Sequence, residues 1–264
     1  MPATLTDILD TTRRRLERLR ERRSELEVEA GRAPAVPAWR PAFETSDVAV
    51  IAEVKRRSPT AGAIQIDLDP GGLVTAYAAG GARAISVLTE AAYFGGSMAD
   101  LEAARRAVAV PVLRKDFVID PLQLYEAKAG GASAVLLIVR ALDGSRLGEL
   151  AAAAGELGLG RLVEVHDRSE LERALAVGAE TVGVNSRDLT TFAVNVDGTR
   201  EVLGAIPSGT IAVAESGLTE RADVERVAEW GADAVLVGTA LVRARDPERA
   251  VRALAGVSRR GRNA

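Results

Sequence analysis

The sequence predicts an α/β fold, namely a (βα)8 TIM barrel with an N-terminal helical extension. Three observations predict it: a glycine-led segment that occurs four times, four further apolar runs between these segments, and a length of 264 residues, which suits one barrel of typical size. We expect residues 1–46 to form a helical arm packed on the barrel and residues 47–264 to form the barrel, so that the chain makes one structural domain overall.

Composition excludes several classes of protein. Hydrophobic residues make up 47% of the chain and charged residues 27%, close to the globular average. The chain has no cysteine, which excludes disulfides, thiolate metal sites and a cysteine nucleophile, and one histidine argues against a histidine-based metal centre. A formal net charge of -3 gives no reason to expect nucleic acid as a partner. Because the chain shows no apolar run of membrane-spanning length and no signal-peptide core, we expect a cytoplasmic protein without membrane contact.

The arm is predicted to be one amphipathic helix whose basic face lies in solvent. Seven arginines lie between Arg13 and Arg23, and such a run can also contact nucleic acid or an anionic surface. The acidic total favours a solvated face. Trp39 and Phe43, near a proline-rich connection from Pro34 to Pro41, are expected to pack the arm onto the barrel. The stripe that defines the helix recurs at spacings of four and three, at Leu5, Leu9, Thr12, Leu16, Leu19, Arg23 and Leu26.

The fourfold repeat places half of the strands. Each copy begins with a glycine that follows an alanine-rich, helix-like stretch and precedes β-branched residues, as expected of the left-handed residue that ends a helix before a strand. Successive glycines are about 50 residues apart. One βα unit needs roughly 30 residues at most, so each interval should hold two units. The copies are Gly81–Ile85, Gly131–Val135, Gly178–Val182 and Gly231–Val235.

Apolar runs in the gaps supply the other four strands. They alternate with the glycine-led strands, and eight parallel strands with intervening helices close into a barrel whose reactive face lies at the carboxyl ends of the strands. A flat doubly wound sheet is the alternative, but no strand has the G-x-G-x-x-G turn of a dinucleotide-binding fold. The runs are Val48–Lys55, Val110–Lys115, Arg161–Val165 and Thr210–Glu215.

Charged residues end the odd-numbered strands. Glu53 and Lys55 close strand one after a continuous apolar run, and residues two apart in a strand share a face. Lys115, Glu164 and Glu215 end strands three, five and seven. Carboxylates and ammoniums that meet in a partly desolvated barrel mouth shift one another's pKa values, as general acid–base catalysis requires. The alternatives are solvated charges on an edge strand and a structural ion-pair network.

The segment around Lys115 refines this prediction. Leu113 and Lys115 share a face, so Lys115 should point into the mouth while Arg114 faces the helices or solvent. Phe117 could form an apolar wall against a flat substrate. A lysine held against apolar walls becomes a usable proton donor, whereas a Schiff-base role is disfavoured because the nearby glutamates stabilise the charged ammonium.

Other strand ends are predicted to bind substrate. Asn185 could hydrogen-bond hydroxyls, and Arg187, two residues further on, could meet a carboxylate. His166 is left out of the catalytic set because a lone histidine just past a strand is more often structural. The loops after strands seven and eight of such barrels often bind phosphate through backbone N–H groups. The glycines and hydroxyls expected there are Ser216, Gly217, Gly238 and Thr239.

As an ordered set, these segments resemble the indole-3-glycerol-phosphate synthase family of tryptophan biosynthesis. The resemblance covers all eight strands, and the set is far more specific than any one motif. The leading helical arm also fits that family. The matching segments are Ile51–Lys55 with Ser58 and Pro59, Phe94, Gly96 and Ser97 with Asp100 and Leu101, Pro111–Phe117, Leu162–His166, Gly183–Leu189, Ala214–Gly217, and Val237 with Gly238.

The resemblance implies ring closure, decarboxylation and dehydration of 1-(2-carboxyphenylamino)-1-deoxyribulose 5-phosphate, without a cofactor or metal. It implies Lys115 as general acid on the substrate carbonyl and Glu53 and Glu164 as acid–base groups. Lys55 would hold the phosphate or protonate the departing hydroxyl. The remaining residues implied are Asn185, Glu215 and Ser216 in the catalytic set as positioning groups, Ser58, Phe117, Arg187 and Leu236 as substrate contacts, and Gly217, Gly238 and Thr239 with Lys55 at the phosphate.

Two other functions are open at this point. Phosphoribosylanthranilate isomerase is a neighbouring phosphate-binding barrel, but its acid–base pair looks like a cysteine and an aspartate, and this chain has no cysteine. A non-catalytic barrel could instead bind a partner or nucleic acid through its arginine-rich arm, with salt-dependent affinity. We expect a small phosphorylated molecule as the partner, and a monomer or weak homo-oligomer.

Overall fold

A computed structural model describes residues 4–188 and 195–262 of the chain. Leu189, the last residue of the matching segment Gly183–Leu189, lies outside these ranges. Residues 1–3 of the predicted arm and residues 263–264 of the predicted barrel also lie outside them. Within the described ranges, no helix combines the length and the apolar character needed to cross a membrane.

Eight parallel strands close into a barrel, which confirms the predicted fold class. The strands are β1 (Ala49–Val54), β2 (Ala84–Leu88), β3 (Val112–Lys115), β4 (Ala134–Ile138), β5 (Gly160–Val165), β6 (Thr181–Asn185), β7 (Ile211–Glu215) and β8 (Ala234–Val237). Each strand pairs with its neighbours in the chain, and β1 completes the cylinder by pairing with both β2 and β8. A closed parallel barrel directs all eight carboxyl ends to one rim.

The repeat glycines act as the sequence predicts. Gly81, Gly131, Gly178 and Gly231 have φ angles of 101°, 82°, 67° and 92°, which a residue with a side chain rarely adopts. Each follows the end of a helix and precedes an even-numbered strand by a few residues. The left-handed turn therefore returns the chain from the helix layer to the barrel at a fixed angle.

Helices surround the barrel and cover the outer face of its strands. All six residues of β1 are buried, because helices lie outside the sheet and apolar side chains such as Ile51, Leu113 and Leu162 fill its interior. Two short 3₁₀ turns, Arg40–Phe43 and Val139–Ala141, interrupt the connections. The helices are α1 (Leu5–Glu21), α2 (Arg23–Arg32), α3 (Pro70–Ala79), α4 (Ala91–Phe94), α5 (Met98–Ala107), α6 (Pro121–Ala129), α7 (Gly144–Glu156), α8 (Arg168–Ala176), α9 (Val196–Ala205), α10 (Arg221–Glu229), α11 (Thr239–Val242) and α12 (Pro247–Leu254).

The arm consists of two helices, so the prediction of one continuous helix is wrong. The chain breaks at Arg22, whose φ and ψ of −101° and 12° are not helical. Arg23, assigned to the apolar stripe, is the first residue of α2 and is exposed. The buried face consists instead of Ile8, Thr12, Leu16 and Leu19 on α1, and Leu26 and Ala30 on α2.

The arm contacts both ends of the barrel. At the carboxyl end, Leu5 and Ile8 of α1 lie over the mouth. At the amino end, Trp39 and Phe43 are buried and pack edge to face with ring centroids 4.8 Å apart, as the sequence predicts. A side chain at Gly160, the first residue of β5, would overlap Trp39. The absence of a side chain at Gly160 thus lets the Trp39 indole cover the amino end of the barrel.

Candidate active site

A cavity of about 460 Å³ opens at the carboxyl ends of the strands. Every residue that the sequence analysis placed in the site lines it, although those residues come from β1, β3, β5, β6, β7, β8 and the loops that follow them. They are Glu53, Lys55, Ser58, Lys115, Phe117, Glu164, Asn185, Arg187, Glu215, Ser216, Gly217, Leu236, Gly238 and Thr239. The predicted juxtaposition at one rim is therefore present, and the chemical role of each residue stays a prediction.

Lys115 bridges two carboxylates in the centre of the mouth. Its Nζ lies 3.0 Å from Glu164 Oε2 and 3.2 Å from Glu215 Oε2. The three side chains come from β3, β5 and β7, alternate strands whose inward residues form a layer in a barrel of this kind. Glu164 and Glu215 are almost fully buried, and the Lys115 side chain is 13% exposed. The Lys115 ammonium is thus held at the cavity by two carboxylates that are shielded from solvent.

A second pair lies at the end of β1. Lys55 Nζ is 2.5 Å from Glu53 Oε1, as expected for residues two apart on one strand face. Gly238, just after β8, borders this pair, and a Cβ at that position would overlap the Glu53 carboxylate. The absence of a side chain at Gly238 therefore leaves room for the Glu53 carboxylate in its present position.

A hydrogen-bonded chain leads from Glu164 to the loop after β7. Asn185 Nδ2 donates to Glu164 Oε1 at 3.2 Å, and Ser216 Oγ donates to Asn185 Oδ1 at 2.8 Å. Among the described residues, Ser216 is the one non-glycine with a positive φ, 65°, a conformation that costs free energy and persists where surrounding contacts enforce it. The strained turn aims the serine hydroxyl at Asn185, which in turn orients Glu164.

The charges shift each pKa in the cluster. Burial disfavours the ammonium of Lys115, but attraction by Glu164 and Glu215 outweighs it and raises the pKa of Lys115 above its ordinary value. Burial also opposes ionisation of Glu164, yet Lys115, His166 and Asn185 lower its pKa. Burial raises the pKa of Glu215 to about 7, and repulsion by Glu164 adds to the rise against the opposing effect of Lys115. Of these two carboxyl groups, Glu164 is therefore the more stable anion, and Glu215 titrates near neutrality.

Glu215 has an unusual environment. Its Oε1 is buried and has no hydrogen-bond partner among the described residues, and a side chain at Gly183 on β6 would overlap that oxygen. The glycine thus makes room for the carboxyl group without supplying a donor. A carboxyl with an unsatisfied oxygen is costly to keep charged, which agrees with its raised pKa.

The structure also resolves the position of Arg114. Its side chain faces the helices, is fully buried, and donates to Asp116 Oδ2 at 3.0 Å and to Glu126 Oε2 at 2.5 Å. It does not reach solvent, one of the two positions that the sequence left open. The carboxylate partners of Lys115 raise its pKa in spite of burial, which is the direction expected from glutamates that stabilise the ammonium.

Some lining residues were missed by the sequence analysis. Leu5 and Ile8 of the arm, Phe94 of α4 and Arg243 after α11 also line the cavity. Phe94 packs near Phe117 with ring centroids 6.2 Å apart. The predicted stripe of the arm helix includes Leu5 but not Ile8, so it was a signal for Leu5 alone. Arg243 gave no sequence signal. Within the described ranges, no cluster of three or more histidine, aspartate or glutamate side chains is arranged to hold a metal ion.

Comparison with known proteins decides the family. The family model described as "Indole-3-glycerol phosphate synthase" matches residues 5–254. The chain belongs to the indole-3-glycerol phosphate synthase family. Members of this family are carboxy-lyases of tryptophan biosynthesis. The match includes the arm helices as well as the barrel.

Individual relatives agree with this family. The chain is 54% identical over 217 residues to an indole-3-glycerol phosphate synthase from Nocardioides sp., covering 82% of this chain and 84% of that protein. It is 48% identical over 250 residues to a synthase of the same name from Parafrankia sp., covering 94% of this chain and 93% of that protein. These alignments extend over most of both chains.

Solved structures of lower similarity share the fold. A tryptophan synthase from M. tuberculosis is similar with a TM-score of 0.63 at 17% identity, covering 83% of this chain and 97% of that one. A thiamine phosphate pyrophosphorylase from Pyrococcus furiosus gives a TM-score of 0.59 at 20% identity, covering 78% and 93%. At such low identity these likenesses show the barrel fold alone.

Proposed function

We propose that the cavity at the strand ends closes the indole ring of 1-(2-carboxyphenylamino)-1-deoxyribulose 5-phosphate, giving indole-3-glycerol phosphate, carbon dioxide and water. The observation that carries this proposal is the position of Lys115 between Glu164 and Glu215 at the centre of the mouth. An ammonium flanked by carboxylates can give a proton to a ketone oxygen, while the carboxylates accept and return protons at the same centre.

The first half of the reaction forms a carbon–carbon bond. Lys115 protonates the ketone oxygen as the ring carbon that bears the substrate carboxylate attacks the ketone carbon. Carbon dioxide then leaves, and the electron pair of the broken bond restores the aromatic ring. In the ligand-free site the raised pKa makes Lys115 a weak acid, so a substrate oxygen that takes the place of a carboxylate partner would increase its acidity.

The second half removes water. The hydroxyl formed from the ketone must be protonated to leave, and a proton must be taken from the substrate to form the double bond of the indole. Glu53 and Glu164 are the acid–base groups proposed for these transfers. Glu215, whose pKa is about 7, lies on the other side of Lys115 and can exchange a proton with it between turnovers.

The proposed binding position of the substrate phosphate is near β8. Gly217 has a φ of 71°, and Gly238 precedes the short helix α11, so both can present backbone N–H groups closely to an anion. Thr239 offers a hydroxyl. Lys55 lies beside Gly238, which favours the phosphate-holding role of this lysine over protonation of the hydroxyl, and Arg243 lines the same cavity.

The aromatic end is placed against the apolar side of the mouth. Phe117 and Leu236 are buried and line the cavity, and a flat ring gains stability from such walls. Arg187 is the proposed partner of the substrate carboxylate. Ser58 lies in a short hairpin after β1, where Arg57–Ser58 pairs with Gly62–Ala63, and it also lines the cavity. The predicted cytoplasmic location and the monomeric or weakly oligomeric state belong to this proposal as well.

Turnover by the purified protein tests the proposal. The protein is incubated with the carboxyphenylamino-deoxyribulose phosphate in the presence of a metal chelator, and indole fluorescence and released carbon dioxide are followed together. The expected result is equal formation of both products. Absence of both products in folded protein would refute the proposal. Conversion of phosphoribosylanthranilate by the same preparation would instead support an isomerase.

A further inference from the structure

His166 lies directly behind the catalytic layer. It follows β5 two residues after Glu164, and its side chain is only 5% exposed. Its Nδ1 lies 3.0 Å from Glu170 Oε2, and its backbone N–H donates to the same oxygen at 2.9 Å. Glu170, in the first turn of α8, therefore fixes both the ring and the backbone of this residue.

The other ring nitrogen points at the active site. His166 Nε2 lies 3.7 Å from Glu164 Oε1, is buried, and has no hydrogen-bond partner among the described residues. A buried polar atom without a partner costs free energy and is uncommon in folded proteins. The Glu164 oxygen that it faces is the one that also accepts from Asn185. The ring is thus anchored at one nitrogen and directed at the proposed acid–base carboxylate with the other.

We propose that His166 is a positioning residue that acts through Glu164: held by Glu170, its imidazolium is the rear charge partner that keeps Glu164 ionised and aimed at the reacting centre. This inference rests on the proposed function, in which Glu164 transfers protons. It adds a line of three side chains, Glu170, His166 and Glu164, that leads from the helix layer into the barrel mouth. His166 itself is not among the residues that line the cavity.

The charged groups around the ring favour its protonated form. Glu164 on β5 and Glu170 on α8 are the anions that face it, and Arg140, in the 3₁₀ turn after β4, is the cation nearby. Burial and Arg140 oppose the imidazolium, but the two carboxylates outweigh them, so the pKa of His166 is raised above its ordinary value. Lys115 faces Glu164 from the opposite side, so that carboxylate lies between two cations.

Arg140 ties this line to the neighbouring loops. Its Nε lies 2.7 Å from Glu170 Oε1 and its Nη1 lies 2.5 Å from Asp188 Oδ2. Its Nη2 lies 3.6 Å from Asp167 Oδ2. Asp188 follows Arg187, the proposed contact for the substrate carboxylate. The same guanidinium thus holds Glu170 in place behind His166 and fixes the residue after Arg187. Three carboxylates therefore restrain Arg140. Because Arg140 holds Glu170, and Glu170 holds His166, this restraint helps to keep the imidazole facing Glu164.

The chemical consequence depends on pH. As the pH rises through the raised pKa of His166, the imidazolium becomes neutral and Glu164 loses one of the charges that lower its own pKa. Without the imidazole at any pH, the pKa of Glu164 should rise, and its base form should be depleted in mildly acidic solution. A purely structural histidine would lower activity by the same factor at every pH.

The single histidine of the chain allows a direct measurement. In the untagged wild-type protein, proton NMR gives one imidazole C2–H signal, and its titration midpoint is expected above the ordinary value of 6.5. In Glu164→Gln the midpoint should fall, because one of the two anions is gone. Glu248→Gln, which removes an exposed carboxylate on α12, is the matched control and should leave the midpoint unchanged.

Kinetics give the second readout. His166→Gln should lower kcat/KM about tenfold in mildly acidic solution, the loss of one charge-assisted contact, and should move the acidic limb of the kcat/KM profile to higher pH with a smaller loss in alkaline solution. Glu170→Gln should move the limb in the same direction, since the imidazolium loses its anchor.

The outcomes separate this inference from the proposed function. An unchanged imidazole midpoint in Glu164→Gln, or an unchanged profile in folded His166→Gln, would overturn the role of His166. If Glu164→Gln abolishes turnover while the profile of His166→Gln matches the wild type, the proposed function stands and the inference fails. If His166→Gln does not fold, the NMR comparison of the wild type with Glu164→Gln still decides, because it leaves the histidine in place.

Discussion

Arg15 Nη2, on the first helix of the arm, lies 2.8 Å from Asp116 Oδ2, and Asp116 follows Lys115 in the chain. Asp116 is fully buried and also accepts from Thr89 Oγ1 at 2.7 Å and from Arg114 Nη2 at 3.0 Å. Its Oδ1 accepts from the backbone N–H of Phe117 at 2.8 Å. The arm is thus bonded to the short segment that holds both the proposed general acid and the apolar wall.

Removing this contact should weaken folding and catalysis together. Arg15→Gln leaves the buried Asp116 with one cation fewer, which should lower the free energy of unfolding by about 1–3 kcal/mol and lower kcat, because the segment around Lys115 becomes less ordered. Urea unfolding and steady-state kinetics measure the two effects. Arg13→Gln breaks an exposed pair with Asp10 on the same helix and should change stability by less than about 1 kcal/mol. Equal effects of the two variants would contradict the coupling.

Lys115 should be required for the chemical step. Lys115→Ala is expected to lower kcat about 10²-fold or more while the circular dichroism spectrum stays that of the wild type, because a positioned proton donor is lost. Lys115→Met keeps more of the volume and should lose activity equally. Lys128→Ala, on α6 and outside the cavity, should retain near-normal kcat. Near-normal turnover in Lys115→Ala would remove the residue from the catalytic role.

Glu215 should make stability fall as the pH rises. Burial raises its folded-state pKa to about 7 from an ordinary value of 4.5, with Glu164 adding to the rise and Lys115 opposing it. Between these two values the unfolded chain releases the proton while the folded protein keeps it, so the free energy of unfolding decreases over this range. The contribution is on the order of 3 kcal/mol and should be absent in Glu215→Gln.

Denaturant unfolding of the wild type and Glu215→Gln at about pH 5 and about pH 8 tests this sign. The free energy of unfolding of Glu215→Gln minus that of the wild type should be larger at the higher pH than at the lower pH. Other groups titrate in both proteins and largely cancel in the comparison. A difference that is the same at both pH values would show that Glu215 ionises in the folded protein as it does in the unfolded chain.

The phosphate site should respond to Arg243. Inorganic phosphate is expected to compete with substrate, and Arg243→Ala should weaken this inhibition about tenfold through loss of a charge-assisted contact. Arg245→Ala, exposed nearby and not part of the cavity lining, is the matched control. Gly238→Asp should abolish the competition, but its side chain would also displace Glu53. Unchanged inhibition in Arg243→Ala would place the phosphate elsewhere.

Sequence alone predicts the barrel because its signals are local and repeated. Continuous apolar runs mark the strands and glycines with positive φ recur at every second βα unit, so the strand order and the rim that collects Glu53, Lys115 and Glu164 follow from the pattern. The break at Arg22 lacked such a signal, because the leucine stripe continues across it from Leu5 to Leu26. Arg15 resembles six neighbouring arginines in sequence, and only the fold distinguishes it by bringing Asp116 within reach.

The contacts of His166 could not be predicted for a related reason. A residue just past a strand carries no signal of what stands behind it, and Glu170 and Arg140 approach it from other elements. The sequence predicts that nearby glutamates stabilise the Lys115 ammonium, but it places the residues at one rim without giving the distances that set their interaction. Pairwise charge effects depend steeply on those distances and on burial.

The pairing of β1 with β8 has a consequence for biosynthesis of the chain. A ribosome makes β1 early, but its partner on one side, β8, emerges only after the six strands between them, so that hydrogen-bonding edge is bare throughout most of translation. The apolar stripe of α1 and α2 likewise has no surface to cover in the nascent protein. Newly made chains should therefore depend on chaperone protection until the last strand is released, and tolerance of slow elongation should be poor.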